Sequence, residues 1–142
     1  MNPRTLLWIA VLLVVGIVLV RYKGSGAKPA HTLAVAAVPV AAAYARDVVS
    51  SRRCDDAKSL SHPGIGDPCK TFAALQGERI AGSGSIVRGC AGASEKIPSS
   101  ARGDDCVRFR LAGTQGRGTL DVWLERHGSG WRVAAAVSEV HA

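Results

Sequence analysis

The 142-residue sequence lacks the local motifs that indicate a cofactor, a metal or a catalytic nucleophile. It has no Cys-x-x-Cys pair, so neither a thiol redox motif nor a zinc site of closely spaced thiolates is expected. It has no nucleophile elbow, and Ser83-Gly84-Ser85 lacks the following Lys-Ser/Thr of a phosphate loop. That stretch is interpreted as a flexible turn that opens a strand. We therefore expect no cofactor, no metal and no catalytic residues.

Aromatic residues are also scarce, and the positive charge is unevenly placed. The three tryptophans, two tyrosines and two phenylalanines form no extended run of alternating basic and aromatic residues, as a platform for stacking bases requires. The formal charge is +7, but residues 1–30 hold four basic residues and no acidic one. Residues 31–142 hold fourteen basic and eleven acidic residues, a net charge of +3, which is typical of an ordinary solvated surface. Nucleic acid is therefore not expected as a partner.

Residues 1–23 are interpreted as a membrane anchor. The run from Leu6 to Val20 is apolar throughout and has basic residues on both sides. A helix without a polar face belongs in lipid rather than in water. Its 15 residues are short for a span, and Trp8 and Tyr22 extend it toward the two interfaces. We predict a single-pass segment that contacts the membrane through residues 6–20.

A cleaved signal peptide is the alternative for this segment. Fifteen apolar residues also suit the central region of such a peptide, and Ser25 and Ala27 are small residues of the kind found before a cleavage site. The charges directly after the run favour an uncleaved anchor. The distribution of basic residues around the run, taken alone, favours a cytoplasmic C-terminal domain. The cysteines favour the opposite orientation and carry more weight.

Four cysteines lie in the expected folded region, with 14, 20 and 15 residues between successive ones: Cys54, Cys69, Cys90 and Cys106. An even number in a small exported domain is typical of disulfides, and four cysteines permit three pairings. The alternating stretch 105–112 places Cys106 on the face opposite Val107, and Cys90 ends a stretch of the same kind. This favours Cys90–Cys106 and Cys54–Cys69. The domain is then expected outside the cytoplasm.

The same alternation places three arginines on one face of the sheet: Arg88, Arg108 and Arg110. Three guanidinium groups on one face are a candidate surface for an anionic partner or a lipid headgroup. The simpler alternative is a solvated outer face.

The rest of the chain predicts one α+β domain. Residues 24–37 are interpreted as a linker and residues 38–142 as a domain whose helices precede its strands. Pro39 suits a first helical turn, so a helix is predicted to Arg53. The further elements are a helix from Asp55 or Asp56 to Leu60, a helical turn at 71–75, and strands near 85–90, 105–112, 119–126 and 131–137. The residues predicted to face inward on the last two strands are Leu120, Val122, Leu124, Trp131, Val133, Ala135 and Val137.

This order of elements resembles the nuclear-transport-factor-2-like (cystatin-like) superfamily over about residues 38–140. The marks are the Asp55-Asp56 pair, the His62-Pro63 break, the turn at 128–130 and Trp131-Arg132-Val133. The likeness is greatest to bacterial membrane-anchored, cysteine-containing members of unknown function. It implies a cone-like domain in which an N-terminal helix packs into the concave side of a strongly curved antiparallel sheet.

The resemblance implies two functions. Anchored relatives serve as scaffolds in secretion and conjugation machines, which implies a non-catalytic domain that binds a protein partner in a cell-envelope assembly. Ketosteroid-isomerase-like relatives imply instead a cavity that holds a small molecule, with an acid as general base. The candidate bases are Asp47, Asp121, Glu125 and His62. Alternation and position favour a solvated role for the three acids and a structural role for the histidine, so the scaffold is the preferred interpretation.

Overall fold

The computed structural model describes residues 32–50, 52–90, 104–113 and 116–141. Helical elements precede four strands, which confirms the α+β class. The predicted membrane segment lies outside the described residues. Within the described ranges, no helix combines the length and the apolarity needed to cross a bilayer. The α-helices are α1 (Val38–Val48), α2 (Cys54–Ser59) and α3 (Pro68–Thr71), and 3₁₀ turns cover Val35–Ala37, Pro63–Ile65 and Ala73–Leu75.

Helix α1 packs on the sheet but is shorter than predicted. Its buried residues recur every three or four positions and form one stripe: Ala41, Tyr44, Ala45 and Val48. The predicted end at Arg53 is wrong because the last carbonyls of the helix have partners elsewhere. Gln76 donates a side-chain hydrogen bond to the Val48 carbonyl at 2.6 Å, and the Gly77 N–H donates to the Val49 carbonyl at 3.0 Å. These bonds end the helix at the turn that precedes the sheet.

The packed part of the chain begins before residue 38. Leu33 and Ala37, which the sequence analysis assigned to the linker, are both buried in the core. The Leu33 N–H donates a hydrogen bond of 3.2 Å to the Asp105 carboxylate. The chain is therefore held to the domain from Leu33 onward.

The first disulfide fastens the two short helices together. Cys54 at the start of α2 is bonded to Cys69 in α3, with their Cα atoms 5.5 Å apart. Asp67 caps α3 by accepting a hydrogen bond of 3.0 Å from the Cys69 N–H, and Pro68 occupies the first turn, where its missing N–H costs nothing. This is the pairing that the sequence favoured.

The four strands form one antiparallel sheet in the order β1-β2-β3-β4. They are β1 (Arg79–Val87), β2 (Cys106–Gly113), β3 (Gly116–His127) and β4 (Gly130–His141). The last hairpin turns at Gly128, whose φ of 59° suits glycine. β1 begins six residues before the predicted strand at 85–90 and stops before Cys90. The strong curvature that the resemblance implies stays a prediction.

The main core lies between α1 and one face of the sheet. Val107, Phe109 and Leu111 of β2 face it, together with Leu120, Val122 and Leu124 of β3, as alternation predicted. Gly84 of β1 also faces this core, and a Cβ atom there would overlap the Phe109 ring. The aromatic ring fits against the edge strand only because residue 84 has no side chain.

On β4 the predicted face is wrong beyond Val133. Trp123 pairs with Ala135, but the next residue of β3, Leu124, pairs with Val133. Ala134 is therefore an extra residue, a β-bulge, which inverts the alternation along the rest of the strand. Val133 faces the helix as predicted, whereas Ala135 and Val137 face the opposite side of the sheet.

The opposite face, called here the outer face, contains a second apolar cluster. Cys90 and Cys106 are bonded with their Cα atoms 5.8 Å apart, and they are buried with Trp123 and Ala135. Cys106 lies on the face opposite Val107, as alternation predicted, but it is fully buried there rather than solvated. The disulfide itself supplies part of the apolar surface that the large indole packs against.

The Asp105 carboxylate joins three parts of the chain. It accepts hydrogen bonds from the Leu33 N–H and, at 3.1 Å, from the Gly89 N–H, and it pairs with the Arg88 guanidinium. Burial alone raises the pKa of Asp105. The bonds from Gly89, Arg88 and Leu33 outweigh that effect and hold the pKa below its ordinary value of 3.8.

We expect Gly84→Ala to lower the free energy of unfolding by about 1–3 kcal/mol, because the new methyl group overpacks the Phe109 ring. Chemical denaturation measures the change. Ser85→Ala is the matched control, since Ser85 is exposed on the same strand and its loss should cost at most about 0.5 kcal/mol. Equal denaturation midpoints for the two variants would contradict this account of the glycine.

We expect Asp105→Asn to lower the free energy of unfolding by about 2 kcal/mol at neutral pH, since hydrogen bonds to a charged group are lost. The folded pKa lies below the unfolded one, so this stabilisation is complete above the unfolded value of 3.8 and disappears as the pH falls through the folded value. Wild type and variant should therefore converge in acid. Denaturation at neutral pH and at about pH 3 tests this, with Asp56→Asn as the control. A gap that is the same at both pH values would refute it.

Candidate functional site

The candidate site is an open groove of about 600 Å³ between α1 and the edge strand β1. Its apolar surface comes from Val38 and Ala42 of the helix, from Val49 just after it, and from Ile80 and Phe109 of the sheet. It lies on the same face of the sheet as α1, beside the main contact between the helix and the sheet. Clefts of this size with mainly apolar walls are the usual form of binding sites.

An irregularity in β1 creates one side of the groove. The register of β1 with β2 shifts between Ala81 and Ser85, so residues 82–84 do not pair with β2 in regular order. Gly82 has a φ of 79°, a conformation in which a side chain would be strained. The stretch that was interpreted as a flexible turn is thus a bulge within a strand. The bulge lies beside the groove, and Gly84 within it packs directly on the Phe109 ring.

Three charged residues line the groove among its apolar walls. Arg46 and Arg79 are exposed, and Arg46 donates a hydrogen bond of 3.2 Å to the Ala42 carbonyl of its own helix. Glu78 is buried, with 6% of its surface exposed, and its carboxylate lies directly above Gly113 of β2. The sequence analysis missed Glu78. Its position two residues before Ile80 was the available signal, because alternation places both residues on the same face.

The four residues considered as general bases lie apart from one another. Asp47 is buried and pairs with Arg53 at 3.4 Å, so the expectation of a surface charge is wrong. His62 Nδ1 accepts a hydrogen bond of 2.9 Å from the Gly64 N–H, which fits the structural role expected for it.

Each of the two acids of β3 forms an ion pair with an arginine. Asp121 accepts two hydrogen bonds from Arg108, at 2.8 and 2.7 Å, and Glu125 pairs with Arg132. Both acids are largely covered by these pairs rather than freely solvated. Neither they nor the other two candidate bases are among the described residues that line the groove.

The three arginines predicted on one face have separate environments. Arg88 pairs with Asp105, and Arg108 forms the two-point pair with Asp121. The hydrogen bonds to Asp121 raise the pKa of Arg108 above its ordinary value, although burial opposes them. Arg110 is exposed and takes part in none of the ion pairs found among the described residues. Only Arg110 of the three therefore offers an uncompensated charge.

The described residues contain no cluster of three or more His, Cys, Asp or Glu side chains able to hold a metal ion. The chemistry that the site offers is that of a binding groove: an apolar floor, two exposed guanidinium groups, one buried carboxylate and the irregular edge of a sheet.

Comparison with protein-family models, with characterised proteins and with solved structures finds no match to this chain. The likeness to the nuclear-transport-factor-2-like superfamily therefore stays a prediction, and the groove must be interpreted from its own residues.

Proposed function

We propose that this chain is a non-catalytic, membrane-tethered domain outside the cytoplasm that binds a segment of a protein partner in a cell-envelope assembly. The observation that carries the proposal is the groove between α1 and β1. Its open shape, apolar floor and position at the edge of a sheet are those of a peptide-binding surface.

The edge strand offers both contacts and hydrogen bonds to an extended segment. Among the described residues β1 pairs with β2 alone, and its bulge at residues 82–84 lies beside the groove. A segment that adds to a sheet edge gains affinity from main-chain hydrogen bonds and specificity from its side chains in neighbouring pockets. The partly buried side chains of Val38, Ala42 and Ile80 provide such a pocket.

The charges of the groove favour an acidic partner segment. Arg46 and Arg79 are exposed on its walls, whereas the buried Glu78 lies at its inner side over Gly113. Exposed charges at the rim of an interface mainly guide association and select partners. A segment with an apolar side chain for the floor and a carboxylate for the rim is the complementary chemistry.

The two disulfides support the location. Disulfides form and persist in oxidising compartments and are rare in the cytoplasm. Each one here joins residues 15 or 16 positions apart and fastens one end of the domain. A domain held in this way presents a rigid groove, and rigid surfaces lose less entropy on binding.

A small apolar ligand is the second candidate occupant of the groove. Its volume of about 600 Å³ is that of a small-molecule site. The buried Glu78 carboxylate adds a polar group that could orient such a ligand, as an isomerase-like domain requires. The open, edge-of-sheet position favours the protein segment.

Photo-cross-linking tests the partner. With p-benzoylphenylalanine at Ser83, full-length protein in its native membranes should give one discrete covalent product. The same residue at Ser129, in the exposed β3–β4 turn, should give none. Mass spectrometry identifies the product. If no product forms at Ser83 and an apolar ligand raises the melting temperature of the protein, the occupant of the groove is a small molecule rather than a protein segment.

Charge reversal at the rim tests the groove itself. We expect Arg79→Glu to lower the cross-linking yield about two- to fivefold, the effect of losing one exposed charge pair. The matched control is Arg52→Glu, since Arg52 is also exposed and is not among the groove-lining residues. Equal yields for both variants would rule out the arginine rim as a determinant of partner choice.

The intact mass of membrane-extracted protein tests location and tether together. We expect four alkylation adducts only after reduction, on a chain that retains its N-terminal segment. Four adducts without reduction would place the domain in the cytoplasm. A mass that lacks the first residues would show a cleaved signal peptide.

A further inference from the structure

A second depression, of about 520 Å³, lies on the outer face of the sheet, toward the end of β2 that is remote from Asp105. It is called here the outer depression. The strand register brings its polar groups together: Arg110 is opposite Thr119, and Arg117 is opposite His141. Its floor is formed by small residues, among them Ala81 and Ala112. Four polar side chains from three strands thus surround an apolar floor.

The charge of the outer depression is largely uncompensated. Elsewhere on the outer face Arg108 is paired with Asp121, and Arg132 with Glu125. Arg110 and Arg117 belong to none of the ion pairs found in the described ranges, and both are exposed. Glu139, which lies opposite Thr119, is the carboxylate nearest in register, and it also acts on Arg108. Within the described ranges, two exposed guanidinium groups therefore lie without an ion-pair partner in register near one carboxylate.

Such a set of groups is suited to a phosphate. Guanidinium groups present their N–H donors in a planar fork that matches two phosphate oxygens, and two forks around one depression can hold the group from both sides. The Thr119 hydroxyl and the His141 ring add further hydrogen-bond donors. Basic clusters on a protein close to a bilayer are the usual recognition sites for anionic headgroups.

The length of the chain before the domain permits contact with the bilayer. Twelve residues separate the apolar run, which ends at Val20, from the fixed Leu33, and fully extended they reach about 40 Å. Leu33 is bound at Asp105, and Arg110 lies five residues along β2, roughly 17 Å away. The tether is therefore long enough for the outer depression to touch the surface of the membrane that holds the anchor.

We propose that the outer depression, formed by Arg110, Arg117, Thr119 and His141, docks the phosphate of an anionic lipid headgroup. The proposal rests on the membrane tether proposed above, but not on the identity of the groove's partner. Of the predicted surface of Arg88, Arg108 and Arg110 it retains Arg110, since the first two are held by carboxylates of their own.

Side-chain modification measures this docking. The full chain is reconstituted in nanodiscs of phosphatidylcholine, with or without phosphatidylglycerol, and treated with phenylglyoxal, which modifies accessible arginines. Mass spectrometry then gives a rate for each arginine. We expect phosphatidylglycerol to slow modification of Arg110 and Arg117 about fivefold or more, the effect of roughly 1 kcal/mol per basic residue near an anionic surface. High salt should abolish the protection, whereas Arg52 should react equally in both discs.

Two variants separate a shared site from general attraction. In Arg110→Gln, the protection of Arg117 by phosphatidylglycerol should fall at least about threefold, because one headgroup is no longer held by both residues. Arg52→Gln should leave that protection unchanged. Both substitutions are at exposed positions and should alter the free energy of unfolding by less than about 0.5 kcal/mol, which thermal melting verifies.

The possible results of this experiment separate the docking proposal from the membrane tether on which it rests. A chain that elutes apart from the discs would refute the tether and the docking together. A chain that enters the discs with Arg110 and Arg117 equally reactive in both lipids would refute the docking alone. Protection by inorganic phosphate in phosphatidylcholine discs, without protection by phosphatidylglycerol, would assign the depression to a soluble anion and overturn the lipid proposal.

Discussion

The buried carboxylate of Asp105 is the interaction on which the arrangement of this domain depends. It holds the first fixed residue, Leu33, the turn at Gly89 and the side chain of Arg88, and it directly precedes Cys106. A carboxylate in so sheltered a position is stable only with several donors. Those donors come from the start of the domain and from the end of β1. One charge therefore fixes where the chain joins the domain and how β1 leads to the disulfide.

The two faces of the sheet differ in chemistry because alternate residues of each strand lie on opposite sides of it. Core residues of β2 and β3 face α1, while the alternate positions carry Arg108, Asp121 and the disulfide-bonded Cys106. Charge pairs between neighbouring strands, such as Arg108 with Asp121, stabilise this outer face. The inner face is incomplete at its edge, because the bulge at residues 82–84 opens the groove.

Local patterns in the sequence predicted much of this fold and little of the candidate site. Alternation found the inward residues of β2 and β3, and it failed on β4 because the extra residue at Ala134 has no signature of its own. The end of α1 depends on Gln76 and Gly77, which are distant in sequence. Arg88 and Arg108 appeared equivalent to Arg110, since their carboxylate partners come from other parts of the chain. Glu78 was missed because the predicted strand began at residue 85, well after it.

The placement of the groove and the outer depression on opposite faces determines how the two can work together. Their linings come from opposite faces of the same strands. Phe109 and Arg110 are adjacent on β2, and they line the groove and the outer depression respectively. Occupying one leaves the other open, so their ligands do not compete for space. A partner bound in the groove and a headgroup bound in the outer depression would therefore be separated by the thickness of a single sheet.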